Sequence, residues 1–320
     1  MQTEATKNIQ IVQGFPMARF HVPELVKGAM RYKPSKDDII VATYPKCGST
    51  WTMQIVSLIL RRGQPLLTSE EYQSHVRYLE DTTMEEISNM KRPRVIKTHL
   101  PFDRVNFSKD TKYIYVARQP ADCVVSHVHF VRMFPIFLPP GESVDGFLEL
   151  FLRGDIPYGD YFDNLLSWYK HKDESNILFL TYEYMKADPR GACLKIAKFI
   201  EESYYKNLIA NNESILKKVM EYSSVDFMKA TVDRFWKSLS IETPPAVKIK
   251  TRNPARERRV QLMTEALNNG KEFRGDFIRK GTVGEGEKTL SKKQMKMLND
   301  RISEKTADSD VMNLWNDLKN

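Results

Sequence analysis

The 320-residue sequence predicts an α/β fold, a mainly parallel central sheet flanked by helices. Three observations predict it. Short apolar, β-branched runs at Ile39–Thr43, Val95–Lys97, Lys112–Ala117 and Ile177–Thr181 suit strands covered on both faces. Helical patterns separate these runs, as parallel strand crossovers require. The stretch Asp38–Arg62, DIIVATYPKCGSTWTMQIVSLILRR, sets a strand, a tight loop and an amphipathic helix in direct succession. No repeat, low-complexity tract or linker interrupts the chain, which reads as a single domain over residues 1–320.

Taken in order, residues 1–37 carry scattered Ile11, Phe15, Phe20 and Tyr32 without firm periodicity, and read as a lead-in covering the domain edge. After Ile39–Thr43, the helix carries Trp51, Ile55, Leu58 and Ile59 as one buried stripe. A polar helical stretch, Ser69–Asn89, runs up to Pro93, and the next strand follows. The strand at Lys112–Ala117 stops at Arg118, and Pro120 opens a helix through Phe130. Helices are predicted over Val144–Leu152, Tyr161–Tyr169 and Gly191–Ile200, the last after the strand Ile177–Thr181. Residues 203–270 read as helical and then loop-like, with a basic run at Lys248–Arg259 that is either a solvated face or a flap over an anion. The tail, Ser291–Asn320, reads as one or two amphipathic helices.

Charge and cysteine content narrow the function classes. Lys and Arg number 49 against 41 Asp and Glu, a formal charge of +8, which fits an anionic ligand and falls short of a dedicated nucleic-acid binder. No apolar run reaches the ~18 residues that a membrane span requires, and the N-terminus lacks the pattern of a signal peptide. Cys47, Cys123 and Cys193 form neither a disulfide framework nor a zinc spacing. A cytoplasmic setting, no membrane partner and no metal are therefore expected.

The loop Tyr44–Thr50 aims backbone N–H groups and a helix N-terminus at one point, which attracts anions. Gly48 permits close approach, Ser49 and Thr50 add hydroxyls, and Lys46 adds charge. An ordinary strand-to-helix turn is the plainer reading. The nucleotide motif G-x-x-x-x-G-K-[ST] is absent, because Lys46 precedes the glycine. In a parallel sheet, ligands bind beyond the carboxyl ends of the strands, and Lys46, His99, Arg118 and Tyr182 all lie just past such ends. His99 is the candidate general base, since imidazole accepts a proton near neutrality. Arg118 and Ser126 offer a guanidinium and a hydroxyl to a phosphate, and Arg279-Lys280-Gly281 offers two cations beside a flexible residue. Each could equally be an ordinary surface group.

Four segments, Y-P-K-C-G-S-T-W, V-I-K-T-H-L-P, Y-V-A-R-Q-P-A-D-C-V-V-S and F-I-R-K-G-T-V-G, stand in the order found in cytosolic sulfotransferases. With L-T-Y-E-Y-M-K-A-D-P, the resemblance covers residues 36–285. It implies a P-loop-like phosphosulfate-binding element. It also implies transfer of a sulfuryl group from 3′-phosphoadenylyl sulfate (PAPS) to a hydroxyl or amine of a small acceptor, with adenosine 3′,5′-bisphosphate (PAP) as product.

Carried over residue by residue, the resemblance implies that Lys46, Gly48, Ser49 and Thr50 hold the 5′-phosphosulfate, with Cys47 contributing its backbone N–H. Trp51 stacks on adenine. Arg118, Ser126, Arg279, Lys280 and Gly281 hold the 3′-phosphate. Tyr182 and Ser223 contact the nucleoside, and Val225 stands where the family usually has an aromatic. His99 is the base and Lys97 lies beside the sulfuryl oxygens. The acceptor is expected to be a phenol, monoamine or alcohol, in a pocket furnished from Phe15, Phe20, Tyr72, Phe102, Phe130, Phe134, Phe137 and Trp236. Two departures stand out: Glu285-Gly286-Glu287-Lys288 after Gly284, and a segment Thr289–Met297 without the pattern through which many relatives pair, so a monomer is expected over a homodimer. The rival readings are an ATP-dependent small-molecule kinase and a non-catalytic nucleotide- or nucleic-acid-binding protein.

Overall fold

The strand Asp38–Ala42 (β3) is buried along its whole length, and its side chains feed two separate cores. Ile40 and Ala42 enter one with Tyr113, Tyr115 and Trp168; Ile39 and Val41 enter the other with Ile114, Val116 and Ile55. Period-2 alternation with apolar residues on both faces requires cover on both faces, and helices supply it. The computed structural model describes residues 9–133, 144–233, 253–270 and 275–319.

Among these, the main sheet has five strands. Val76–Tyr78 (β4), Arg94–Thr98 (β5), β3, Lys112–Ala117 (β6) and Ile177–Thr181 (β7) lie in that spatial order. Each neighbouring pair is parallel, with Ala42 opposite both Thr98 and Tyr115. At the amino end of the sheet, the register pair Asp38 and Arg94 forms a buried ion pair, Arg94 Nε donating to Asp38 Oδ1 at 2.6 Å. Tyr32 and the Ser35 backbone N–H also donate to Asp38, so its charge is fully engaged.

The observed elements correct several sequence expectations. The lead-in contains an antiparallel hairpin, Ile9–Val12 (β1) with Phe15–Ala18 (β2), and a helix, Pro23–Arg31. Ser69–Asn89 is not one helix. It breaks into a helix Ser69–His75, the edge strand β4 and a second short helix Met84–Ser88, each helix with its own capping box. The helix Ser49–Leu60 buries far more than one stripe, since Thr52, Met53, Gln54, Val56 and Ser57 are covered too. It is sandwiched between the sheet and an outer layer that includes Leu208, Leu216 and Val219. Pro254–Arg259 is helix rather than loop: Asn253 caps a helix running Pro254–Asn268. Residues 248–252 of the basic run lie outside the described residues. The tail forms a helix, Lys292–Lys305, and a 3-10 segment, Val311–Lys319. Among the described residues no helix is long and apolar enough to cross a membrane.

Candidate active site

β3 lies in the middle of the sheet, with β5 and β4 built out on one side and β6 and β7 on the other. The connections leaving β3 and β6 therefore diverge and open a crevice at their carboxyl ends. The loop after β3 fills its floor. Lys46 takes a left-handed conformation (φ 70°), as does Gly48 (φ 99°), and the helix Ser49–Leu60 begins at once. Its first turn holds no acidic residue, so the positive end of the helix stays uncompensated. A Cβ at Gly48 would sit 2.8 Å from Tyr182 Cδ2, so only glycine lets the loop pass beneath that ring. Arg118, at the end of β6, ties the loop down through Nη1 donating to the Lys46 carbonyl at 3.0 Å.

A cavity of about 450 Å³ stands over this loop. Lys46, Gly48, Ser49, Thr50, Trp51, Lys97, His99, Arg118, Ser126, Tyr182, Ser223, Val225, Arg279, Lys280 and Gly281 all line it. Segments far apart in sequence thus meet at one place. Cys47 does not line it. Its side chain is buried in the core with Sγ 3.7 Å from Cys123 Sγ, its N–H donates to the Tyr44 carbonyl, and burial holds its thiol well above the usual range.

Positive charge is concentrated here. Burial, then the charges of Arg118 and Lys97, brings the Lys46 ammonium down to about 7. Its Nζ lies 4.4 Å from the Phe130 ring centre and 4.7 Å from that of Phe277. Burial lowers Lys97 to about 8, against the pull of Glu80 and Asp81. A bound anion would raise both pKa values and restore both charges. At one end, Arg118 lies over the Tyr182 ring at 4.4 Å and donates to the Thr282 carbonyl at 3.2 Å. Asp122 accepts from the N–H groups of Gly284 and Gly286, tethering the 281–286 loop to the helix Pro120–Met133. Gly281 (φ 65°) packs so closely that a Cβ would meet Val225 Cγ2 at 2.6 Å. Glu285, the departure seen in the sequence, binds both Arg279 (3.3 Å) and Lys280 (3.0 Å).

At the other end stands His99. Its Nδ1–H donates to the Thr43 carbonyl at 2.7 Å, which fixes the neutral tautomer with the Nε2 lone pair available. Its backbone is held too: its N–H donates to Glu80 Oε1 at 2.7 Å, and its carbonyl accepts from Asn164. Burial, then Lys97, pushes the imidazolium pKa well below 6.5, so the ring is neutral at physiological pH. Tyr78 and Tyr158 set their edges against it, with ring centres 5.4 and 5.2 Å away.

The aromatic lining differs in part from expectation. Phe20 and Phe130 line the cavity. Phe15 is in the core, Tyr72 borders a different cavity, and Phe102 stacks on His171. Phe134, Phe137 and Trp236 lie outside the described residues. Sequence reasoning missed Tyr78, Tyr158 and the carboxylate Asp81, all of which line the cavity. They are linked in a chain: the Tyr78 and Tyr158 hydroxyls are 2.6 Å apart, Tyr158 bonds His21 Nε2, and His21 Nδ1 bonds Asp81. Burial alone would raise the Asp81 carboxyl, but His21 and Arg259 outweigh it and hold it at about 2. A polar end that attracts anions and a neutral base at an aromatic end can together deprotonate an apolar alcohol or phenol beside an anionic group. Among the described residues, no group of three or more His, Cys, Asp or Glu could hold a metal ion.

Comparison with known proteins places the chain in a family and a fold. Residues 36–243 match the Sulfotransferase domain family. Sulfotransferase 1B1 of Canis lupus familiaris is 33% identical over 234 residues, covering 70% of this chain and 76% of that protein. Sulfotransferase 1 family member D1 of Mus musculus is 31% identical over 254 residues, covering 71% and 85%. The crystal structure of mouse sulfotransferase SULT7A1 complexed with PAP superposes with a TM-score of 0.68 at 26% identity, covering 96% of this chain and 97% of that one. Retinol dehydratase in a complex with retinol and PAP shares the fold, with a TM-score of 0.66 at 20% identity over 93% and 89% of the two chains.

Proposed function

Because the chain belongs to the sulfotransferase family, we propose a division of labour for the residues around its cavity. The protein is a PAPS-dependent sulfotransferase that acts on small acceptors and releases PAP. The observation that carries the residue assignment is that Lys46, Lys97 and His99 border the same cavity as Arg118, Arg279 and Lys280. The gathering of Lys46 and Lys97 at one part of the cavity and Arg118, Arg279 and Lys280 at another suits a ligand with two anionic ends.

PAPS supplies an activated sulfuryl group on a phosphate leaving group. Lys46, the N–H groups opening the helix Ser49–Leu60 and the Ser49 and Thr50 hydroxyls bind the 5′ end. Arg118, Ser126, Arg279, Lys280 and Gly281 bind the 3′-phosphate, and Trp51, Tyr182, Ser223 and Val225 enclose the nucleoside. His99 Nε2 takes the proton of the acceptor hydroxyl as its oxygen forms a bond to sulfur. The bond from sulfur to the bridging oxygen breaks in line, and Lys46 neutralises the charge that develops there. Lys97 stabilises the equatorial oxygens in transit. Positioning and fixed charge provide the acceleration.

Phe20, Phe130, Tyr78 and Tyr158 favour a phenol, monoamine or apolar alcohol as acceptor. The single-domain reading extends to residues 1–320, with a monomer in a cytoplasmic setting. Thermal unfolding with PAP and with ATP tests the donor assignment against the kinase reading. PAP is expected to stabilise strongly and ATP weakly, and the opposite ranking would refute it. Turnover with an acceptor panel excludes a non-catalytic binding role.

A further inference from the structure

A second cavity, of about 120 Å³, lies between the edge strand β4 and the helix Pro254–Asn268. We propose that it is an oxyanion-binding site distinct from the donor cavity, in which Arg77, Arg256 and Arg259 receive one small sulfate- or carboxylate-like group. Its volume suits such a group, being a few times the share of one water in the liquid.

Among the described residues that line it, cations outnumber carboxylates: Arg77, Arg256 and Arg259 face Asp81 and Glu86, and Lys97 also feels Glu80 beside it. Both carboxylates are already engaged. Asp81 is bound by His21 and Arg259, and Glu86 by Arg77, Asn253 and the Thr83 cap. Arg256 has no carboxylate partner among the described residues. Among the described residues, the Nε atoms of all three arginines are buried without a hydrogen-bond acceptor. Burial, then the neighbouring Arg259, lowers the pKa of Arg256; burial lowers that of Arg77 despite Glu86. These Nε atoms are sealed from the cavity, and an oxyanion in it would instead offset the excess positive charge of the guanidinium groups that line it. Tyr78, Asp81, Lys97 and Arg259 border both cavities, so an occupant would lie behind the catalytic lysine at the acceptor end.

The anion can be a free oxyanion or the charged end of an acceptor, and two arms of one experiment separate them. In the first, thermal unfolding is followed at saturating PAP while inorganic sulfate replaces chloride at constant ionic strength. Wild type should gain a saturable stabilisation. Lys46→Met should keep it, and Arg256→Gln should need at least about tenfold more sulfate. Because Arg256 has no carboxylate partner, Arg256→Gln should unfold no earlier than wild type without sulfate. Retention in Arg256→Gln with loss in Lys46→Met would put the sulfate in the donor cavity and overturn the proposal, as would no saturable response in wild type. Stabilisation by PAP alone, read in the same series, reports separately on the donor assignment. In the second arm, turnover is compared for a neutral phenol and a carboxylate-bearing one. If the acceptor carries the anion, Arg256→Gln lowers kcat/KM about tenfold for the carboxylated phenol alone. If the anion is free, added sulfate changes both rates in wild type and neither in the variant.

Discussion

The ring Nδ1 of His99 lies 2.7 Å from the backbone carbonyl of Thr43, the last residue before the phosphate loop turns toward Lys46. One backbone group thus sets the tautomer of the proposed base and lies directly before the loop that is to hold the leaving group. His99→Asn is expected to lower kcat by about 10²–10⁴-fold, with PAP affinity kept within about twofold. The pKa of His99 lies well below 6.5, so the required neutral ring is present at pH 7 and lost only as the medium turns acidic. The acid limb of kcat/KM should therefore fall below pH 6.5 in wild type and be absent in His99→Asn. A wild-type-like rate in the variant removes His99 from the mechanism.

Binding of the donor product should take up protons. Lys46 and Lys97 have pKa values of about 7 and about 8, so at pH 8 both are partly neutral. An anion raises both, so the complex holds more protons than the free protein and affinity falls as pH rises through this window. Calorimetric titration of PAP at pH 8 in buffers of different ionisation enthalpy should give an uptake of about one proton, reduced in Lys46→Met. Proton release on binding would contradict the assignment.

Lys280→Ala should weaken PAP by about 1.5–3 kcal/mol and weaken adenosine 5′-phosphate much less, whereas Arg118→Ala, which also frees the Lys46 loop, should weaken both and PAP more. Equal losses for both nucleotides in Lys280→Ala would exclude a 3′-phosphate role for it. Glu285→Gln should act in the opposite direction, since Glu285 binds both Arg279 and Lys280 and competes with any phosphate there. Tighter PAP binding in isothermal titration is the expected result.

Cys47→Ser should retain most of the activity, because the sulfur faces Cys123 and not the cavity. Its raised pKa and burial also make it a poor nucleophile, so thiol reagents should label the folded protein slowly at this position. Rapid loss of activity with stoichiometric labelling of Cys47 would show that the sulfur is accessible.

Asp38→Ala should destabilise the fold by about 3–5 kcal/mol by leaving Arg94 buried without its counter-charge. Chemical denaturation measures this. PAP affinity in the folded fraction should be unchanged, because the pair lies at the end of the sheet opposite the cavity. A loss below about 1 kcal/mol would show that water or Tyr32 takes over the role.

Four of the five strands of the main sheet were legible because each holds a short apolar, β-branched stretch, and the strand-loop-helix at Lys46 was legible because its signals are local. Val76–Tyr78 was not legible. It is three residues long, lies on the edge and carries Arg77, so neither length nor hydrophobicity distinguishes it from a helix. Missing that strand hid Tyr78 and the turn after it, where Glu80 and Asp81 reach the site. Tyr158 stands in a turn with φ 74°, beside a glycine; the Tyr-Gly pair was a turn signal, but nothing local shows where its side chain goes. The helix Pro254–Asn268 had readable signals in Asn253 and Pro254, which the surrounding basic charge outweighed.

The central position of β3 has a consequence for how the chain is made. β3 leaves the ribosome before any other strand of the main sheet, yet both of its hydrogen-bonding neighbours, Arg94–Thr98 and Lys112–Ala117, are synthesised much later. Meanwhile a wholly apolar Ile39–Ala42 has two open edges and two uncovered faces, the condition in which nascent chains associate wrongly. Completion of the middle of the sheet waits for long-range closure, which makes folding slow compared with a locally connected fold. Release of a truncated chain ending before Arg94 should yield aggregate, whereas a chain that includes β6 holds both partners of β3.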